Sequence, residues 1–257
     1  MFEFVEYETH NNIAWITLNR PDKLNAFTAQ LNKDVELAVK QASKAENVRC
    51  LVITGKGRAF SSGQDLEGVL ENMDHGEVLR KNYNPMVKAI DHCEKPIIAA
   101  VNGVAAGAGL SLALACDFRL LSDKASFIQA FIHVGLVPDA GNLYYLPRLI
   151  GQAKALELAI LGEKISAQEA KEIGLATKVI PQEQWSDEIT MFAEKLAAMP
   201  TKAIGLIKKN IKKSWNSTLA ESLERDAQSQ RVAGLTSDHI EGVTAFLEKR
   251  KPFFQGK

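Results

Sequence analysis

Four short apolar runs in the first half of the chain constrain its fold more than any other feature. They are "CLVITG" from residue 50, "PIIAAVNG" from 96, "GAGLSLALACD" from 107 and "FRLLS" from 118. The first, second and fourth have the length of buried strands, the first covering about 50–54. The third is small and apolar enough for a buried helix. Strand, helix and strand in alternation predict an α/β protein with a largely parallel sheet.

The rest of the chain extends that pattern. Residues 2–18 alternate polar and apolar around Asn11-Asn12, which signals a β-hairpin. "NRPDKLNAF" then breaks the strand, and Leu31, Val35, Ala38 and Ala42 follow at helical spacing. Helical stretches are expected at about 76–93 and at 152–173, with a last short strand in "ATKVI" at 176–180. From about 184 the sequence reads as amphipathic helix to the end. The expected organisation is a βα core over 1–183 and a helical region over 184–257.

Composition narrows the function. Lys+Arg and Asp+Glu balance at 31 each, so no global charge draws the chain to nucleic acid or anionic lipid. No run of 18 apolar residues predicts a membrane span. The opening "MFEFVEYETHNN" lacks the basic and apolar regions of a secretory signal. Cys50, Cys93 and Cys116 are widely spaced and read as buried thiols of a cytoplasmic protein, with no metal-ligand spacing.

Three segments carry chemistry. "GRAFSSGQDLEG" at 57–68 follows a strand, and its small residues around Gly63 leave backbone N–H groups free for a ligand, or simply make a turn. "NGVAAGAGLSLALACD" at 102–117 places Gly107, Ala108 and Gly109 at a helix start, where unpaired N–H groups can stabilise an oxyanion; close helix–sheet packing needs the same small residues. The glycine spacing does not match a dinucleotide fingerprint, and Ser111 is not in a G-x-S-x-G elbow. "GLVPDAGN" at 135–142 holds one acid, Asp139, before the helix-like "NLYYLPRLIG". It either caps that helix or, partly desolvated among Leu136, Val137 and Pro138, moves a proton. His133 in the same stretch reads as a packed side chain or an assistant to Asp139.

"NRPDKLNA", "FSSGQDL", "KPIIAAVNGVAAGAGLSLALACD", "GLVPDAGNLYYLPRLIG" and "FLEKRKPFFQG" occur in the order and spacing of the crotonase, or enoyl-CoA hydratase/isomerase, superfamily, which the chain resembles over essentially its whole length. The resemblance implies a spiral of ββα units with a helical C-terminal trimerisation region, assembled as a trimer or a dimer of trimers. It implies acyl-CoA substrates, no cofactor beyond that CoA, and no metal. By motif position the oxyanion donors are the backbone N–H groups of Gln64 and Ala108. Lys23, Leu24, Ala26, Ser62, Asp65 and Leu66 are implied at the CoA site, with Phe246 and Lys249 reaching the nucleotide across a subunit boundary.

Departures from the family pattern bear on the reaction. Hydratases resembling this chain carry two catalytic glutamates, and here those positions are Ser111 and Phe131. Asp139 falls where dienoyl-CoA isomerase, an aromatic-CoA dehalogenase and the epoxide isomerase of phenylacetate breakdown keep their acid, and "GQDL" and "GLVPDAG" look most like the last. The expectation is a CoA-thioester isomerase with Asp139 as its one acid/base. The alternatives are an enoyl-CoA hydratase, a dehalogenase with Asp139 as nucleophile, and a noncatalytic scaffold or RNA-binding relative that keeps the fold.

Overall fold

A computed structural model describes residues 2–68 and 73–257. Its ten strands are β1 (Val5–His10), β2 (Ile13–Leu18), β3 (Cys50–Gly55), β4 (Ala59–Ser61), β5 (Ile97–Val101), β6 (Val104–Ala106), β7 (Phe118–Ser122), β8 (Ser126–Ile128), β9 (Lys164–Ser166) and β10 (Lys178–Ile180). They form a six-stranded sheet in the order β1-β2-β3-β5-β7-β10 and a four-stranded sheet in the order β4-β6-β8-β9. Successive pairs β3/β4, β5/β6 and β7/β8 each give one strand to each sheet. The chain therefore advances as a spiral, with helices such as Ala108–Ala115 closing each turn.

The hairpin forms as the pattern predicts. Asn11 and Asn12 both take left-handed φ of 51° and 61°, the geometry of a two-residue turn matched to strand twist, and pair Val5 with Leu18 through His10 with Ile13. The large sheet is parallel from β2 onward. Such a sheet needs cover on both faces, and alternation supplies it. Leu51, Ile53, Ile97, Ala99 and Val101 enter the main core, while Cys50, Val52, Ile98 and Ala100 enter a second cluster with Ile189, Ala193 and Leu196. The helix Trp185–Ala197, the first of the C-terminal region, thus packs on the core sheet. Cys50, Cys93 and Cys116 are free and buried.

Two helical expectations are corrected. The stretch 152–173 is a helix Gln152–Leu161, strand β9 and a helix Ala167–Glu172. Gly162 ends the first helix in a left-handed conformation, and Ser166 starts the next with a reciprocal Ser–Glu cap to Glu169. The stretch near 76–93 runs from His75 to His92 but winds as a π-turn over Leu79–Tyr83. Among the described residues no helix is long and apolar enough to cross a membrane.

Candidate active site

The segments "NRPDKLNAF" and "SSGQD", far apart in sequence, are sewn into one surface. Leu24 and Asn25 turn the chain with φ of 49° and 54°. Fully buried Asn25 accepts from the Arg20 N–H at 2.9 Å and donates to Lys56 O and Ala59 O at 3.0 and 2.9 Å. The Ser62 N–H donates to Leu24 O at 3.0 Å, the Phe27 N–H to Gly63 O at 2.7 Å and the Asp65 N–H to Phe27 O at 2.9 Å. Bonds on either side of Gln64 hold its peptide like a short parallel bridge, which turns the Gln64 N–H away from Phe27. It donates to no carbonyl among the described residues.

The second donor lies beside the first. A Cβ on Gly63, whose φ is +97°, would stand 2.9 Å from Ala106 O and 3.5 Å from the Ala108 nitrogen, so only glycine admits this approach. Ala108 opens the helix Ala108–Ala115, every residue of which is buried. Its N–H, like the others at a helix start, has no carbonyl four residues back. Gly107 takes φ 49° and ψ −121°, a conformation open to glycine, and it lines the cleft together with Ala108.

Asp139 completes the wall. The helix Asn142–Ile150 is preceded by Gly141 and has no side-chain cap, so Asp139 does not cap it. Ala140 and Gly141 both take left-handed φ, and the turn is closed by the Asn142 N–H on Asp139 O at 2.9 Å. The half-buried carboxylate leaves Oδ1 buried with no partner. Burial pushes its pKa up to about 6, with His75 pulling weakly the other way.

These groups share a cleft of about 360 Å³ whose lining includes Ser62, Gly63, Gln64, Gly107, Ala108 and Asp139. Leu66, Val78, Leu79, Phe131, Val134 and Val137 make most of the rest of the wall apolar. Among the described lining residues Asp139 is the sole carboxylate. Phe131 packs against the donor turn, its Cζ 3.8 Å from the point a Cβ on Gly107 would occupy.

The other expected residues divide. Ser62 and Leu66 line the cleft. Leu24 and Ala26 belong to the sewn loop beside it, and exposed Lys23 pairs with Glu67 at 2.5 Å on the same rim. Asp65 accepts from Arg20 at 3.0 Å, and that bond holds its carboxyl below the usual range. Phe246 and Lys249 are not on this cleft within one chain; Phe246 is 82% exposed and lines a separate apolar groove with Phe254. His133 does not line the cleft and lies against Gly162. Residues 69–72, which follow Leu66 of the cleft wall in sequence, lie outside the described residues.

Two side chains were missed from sequence. His75 and Tyr83 both line the cleft. Tyr83 is buried and donates its hydroxyl to Gln64 Oε1. Burial above all, with the Asp139 charge adding, raises its pKa and keeps it protonated. The residue that could have flagged the region is Pro85, since a proline near a helix start disturbs the regular turn before it.

Two free backbone N–H groups and one carboxylate on the same apolar cleft can hold a carbonyl oxygen while a proton is moved nearby. Comparison with known proteins fits that chemistry. The family described as Enoyl-CoA hydratase/isomerase matches residues 8–257. The chain is 40% identical to the 1,2-epoxyphenylacetyl-CoA isomerase of Escherichia coli K12, with all of both chains covered. It is also 40% identical to a Rhodobacter capsulatus protein named "Probable enoyl-CoA hydratase", over 100% of this chain and 99% of that one. The crystal structure of an enoyl-CoA hydratase from Polaromonas sp. JS666 superposes with a TM-score of 0.91 at 33% identity, covering 97% of this chain and 99% of that one. With its spiral fold and its sequence matched almost from end to end, the chain belongs to the enoyl-CoA hydratase/isomerase family.

Proposed function

We propose that the protein is an acyl-CoA thioester isomerase in which Asp139 is the single acid/base. The observation that carries this reading is the Asp139 carboxylate itself: half-buried, its Oδ1 enclosed without a partner, not a cap, and the sole described acid on the cleft that holds the Gln64 and Ala108 N–H groups.

The thioester oxygen accepts from both N–H groups, which stabilise the negative charge that develops there. Asp139 removes a proton from the acyl chain; the C–H pair moves into the enolate, and Asp139 gains an O–H bond. Return of that proton to a different carbon shifts the double bond and regenerates the carboxylate. One carboxylate suffices, and no group beyond the CoA of the substrate is required. The apolar wall suits an apolar acyl group, either an enoyl chain or a ring such as the 1,2-epoxyphenylacetyl group named for one relative.

A hydratase is the second reading, favoured by the names of other relatives at similar identity. Water addition needs one group to deprotonate water and another to protonate the α-carbon. Ser111 and Phe131 supply no carboxylate, which leaves His75, Tyr83 and Ser62 as the other side chains on the described wall with an imidazole or hydroxyl group.

We further propose a trimer or a dimer of trimers, in which Phe246 and Lys249 of one chain reach the CoA of another; both stand off the cleft of their own chain. The buried free cysteines fit a reducing compartment such as the cytoplasm. Asp139→Asn tests the central reading. Turnover should fall by about a thousandfold while the dissociation constant of the acyl-CoA ester is unchanged. Turnover within tenfold of the parent would overturn the assignment.

A further inference from the structure

Ser111 sits one helical turn after Ala108 and is fully buried. Its hydroxyl lies 3.2 Å from Gly107 O, and its own N–H donates to the same oxygen at 3.0 Å. On its other side Ser111 Oγ meets Asn142 Nδ2 at 3.1 Å, and Asn142 Oδ1 meets Gln129 Nε2 at 2.9 Å. Asn142 is fully buried and Gln129 is 2% exposed.

The direction of this chain is forced. A carbonyl oxygen accepts only, so the Ser111 hydroxyl must donate to Gly107 O and its oxygen is left to accept. Asn142 must then present its NH2, which turns its carbonyl to Gln129, and Gln129 must present NH2 in turn. All three donations run toward Gly107. The Gln129 Oε1, buried without a partner, is the orphan acceptor left at the far end.

The Gly107 carbonyl and the Ala108 N–H belong to one peptide group. Hydrogen bonds into the carbonyl draw electron density onto its oxygen and make the N–H a stronger donor, and bonds in series reinforce one another. The chain is neutral throughout, so it strengthens the donor without setting a negative charge beside the enolate. Asn142 also fixes the loop of the base, since its backbone N–H holds Asp139 O. One buried residue thereby ties the proton-carrying loop to the donor turn.

We propose that Gln129, Asn142 and Ser111 form a one-way hydrogen-bond chain that orients and polarises the Gly107–Ala108 peptide, which makes them positioning residues for the oxyanion. This rests on the reading that the Ala108 N–H binds the thioester oxygen.

The test binds phenylacetyl-CoA carrying a 13C-labelled thioester carbonyl and reads that carbonyl by difference infrared spectroscopy. In the parent, and in Asp139→Asn, the band should sit below its solution position. Ser111→Ala should move it back toward the solution position, lower kcat about tenfold and leave KM within threefold. Gln129→Met, which cuts only the far end, should move the band a smaller distance the same way. A parent band at the solution position would overturn the oxyanion reading, and the chain with it. A displaced parent band with Ser111→Ala unchanged in band and kcat would overturn the chain alone.

Discussion

A carboxylate buried without a partner holds its proton longer than one in water, and Asp139 is pushed up to about 6 for that reason. Two pH effects follow. As the base, Asp139 must be ionised, so kcat/KM of the free enzyme should fall tenfold per unit as pH drops below about 6; a flat profile from pH 7 to 5 would contradict the assignment. Because the folded value is raised above the unfolded one, the carboxylate's contribution to stability is fully present below about pH 4 and is lost as pH rises through about 6. Asp139→Asn should therefore be more stable than the parent at pH 8 by about 2 kcal/mol and closely matched at pH 4, as read from urea midpoints. A lower stability for the variant at pH 8 would show that the carboxylate has a partner in solution. The position of this acid was legible in the sequence, but its role was not. Cap and base differ only in where Ala140 and Gly141 turn the side chain, and a left-handed alanine carries no signal of its own.

A buried arginine ties together the elements that present these residues. Arg119 on β7 is 5% exposed, and it donates to Leu175 O and Cys116 O at 2.7 Å each and to Ala113 O at 3.4 Å. It therefore holds the carbonyl end of the helix Ala108–Ala115, whose other end carries the donor turn, and satisfies groups a helix leaves open. Arg119→Ala should cost about 3 kcal/mol in denaturant midpoint stability by orphaning these acceptors; a loss under 1 kcal/mol would mean that water replaces the guanidinium. The long buried strands and the eight-residue buried helix were legible because each is a continuous apolar run of distinctive length and composition. The second sheet was not: β4, β6, β8 and β9 have three residues each, too few for alternation to appear. Only the resemblance implied paired strands there. The helical reading of 152–173 failed for the same reason, since a three-residue strand hides between two good helical faces.

At the scale of the molecule, the C-terminal helices leave Leu219, Leu235, Ile240, Phe246 and Leu247 65–82% exposed. Large apolar side chains left this exposed mark association surface, which the trimer proposed above would cover. Sedimentation equilibrium should give the mass of three or six chains, and a stable single chain would contradict the trimer. Whole-chain identity cannot select the reaction, because relatives at 40% identity bear both isomerase and hydratase names. The choice rests on Asp139, and the products decide it. The most direct measurement mixes the protein with crotonyl-CoA, a 3-enoyl-CoA and the phenylacetate-derived epoxide thioester, and follows product mass. A new isomer of unchanged mass from the 3-enoyl or epoxide ester, with crotonyl-CoA left unhydrated, is the predicted result. Rapid gain of one water by crotonyl-CoA would contradict a single-carboxylate isomerase.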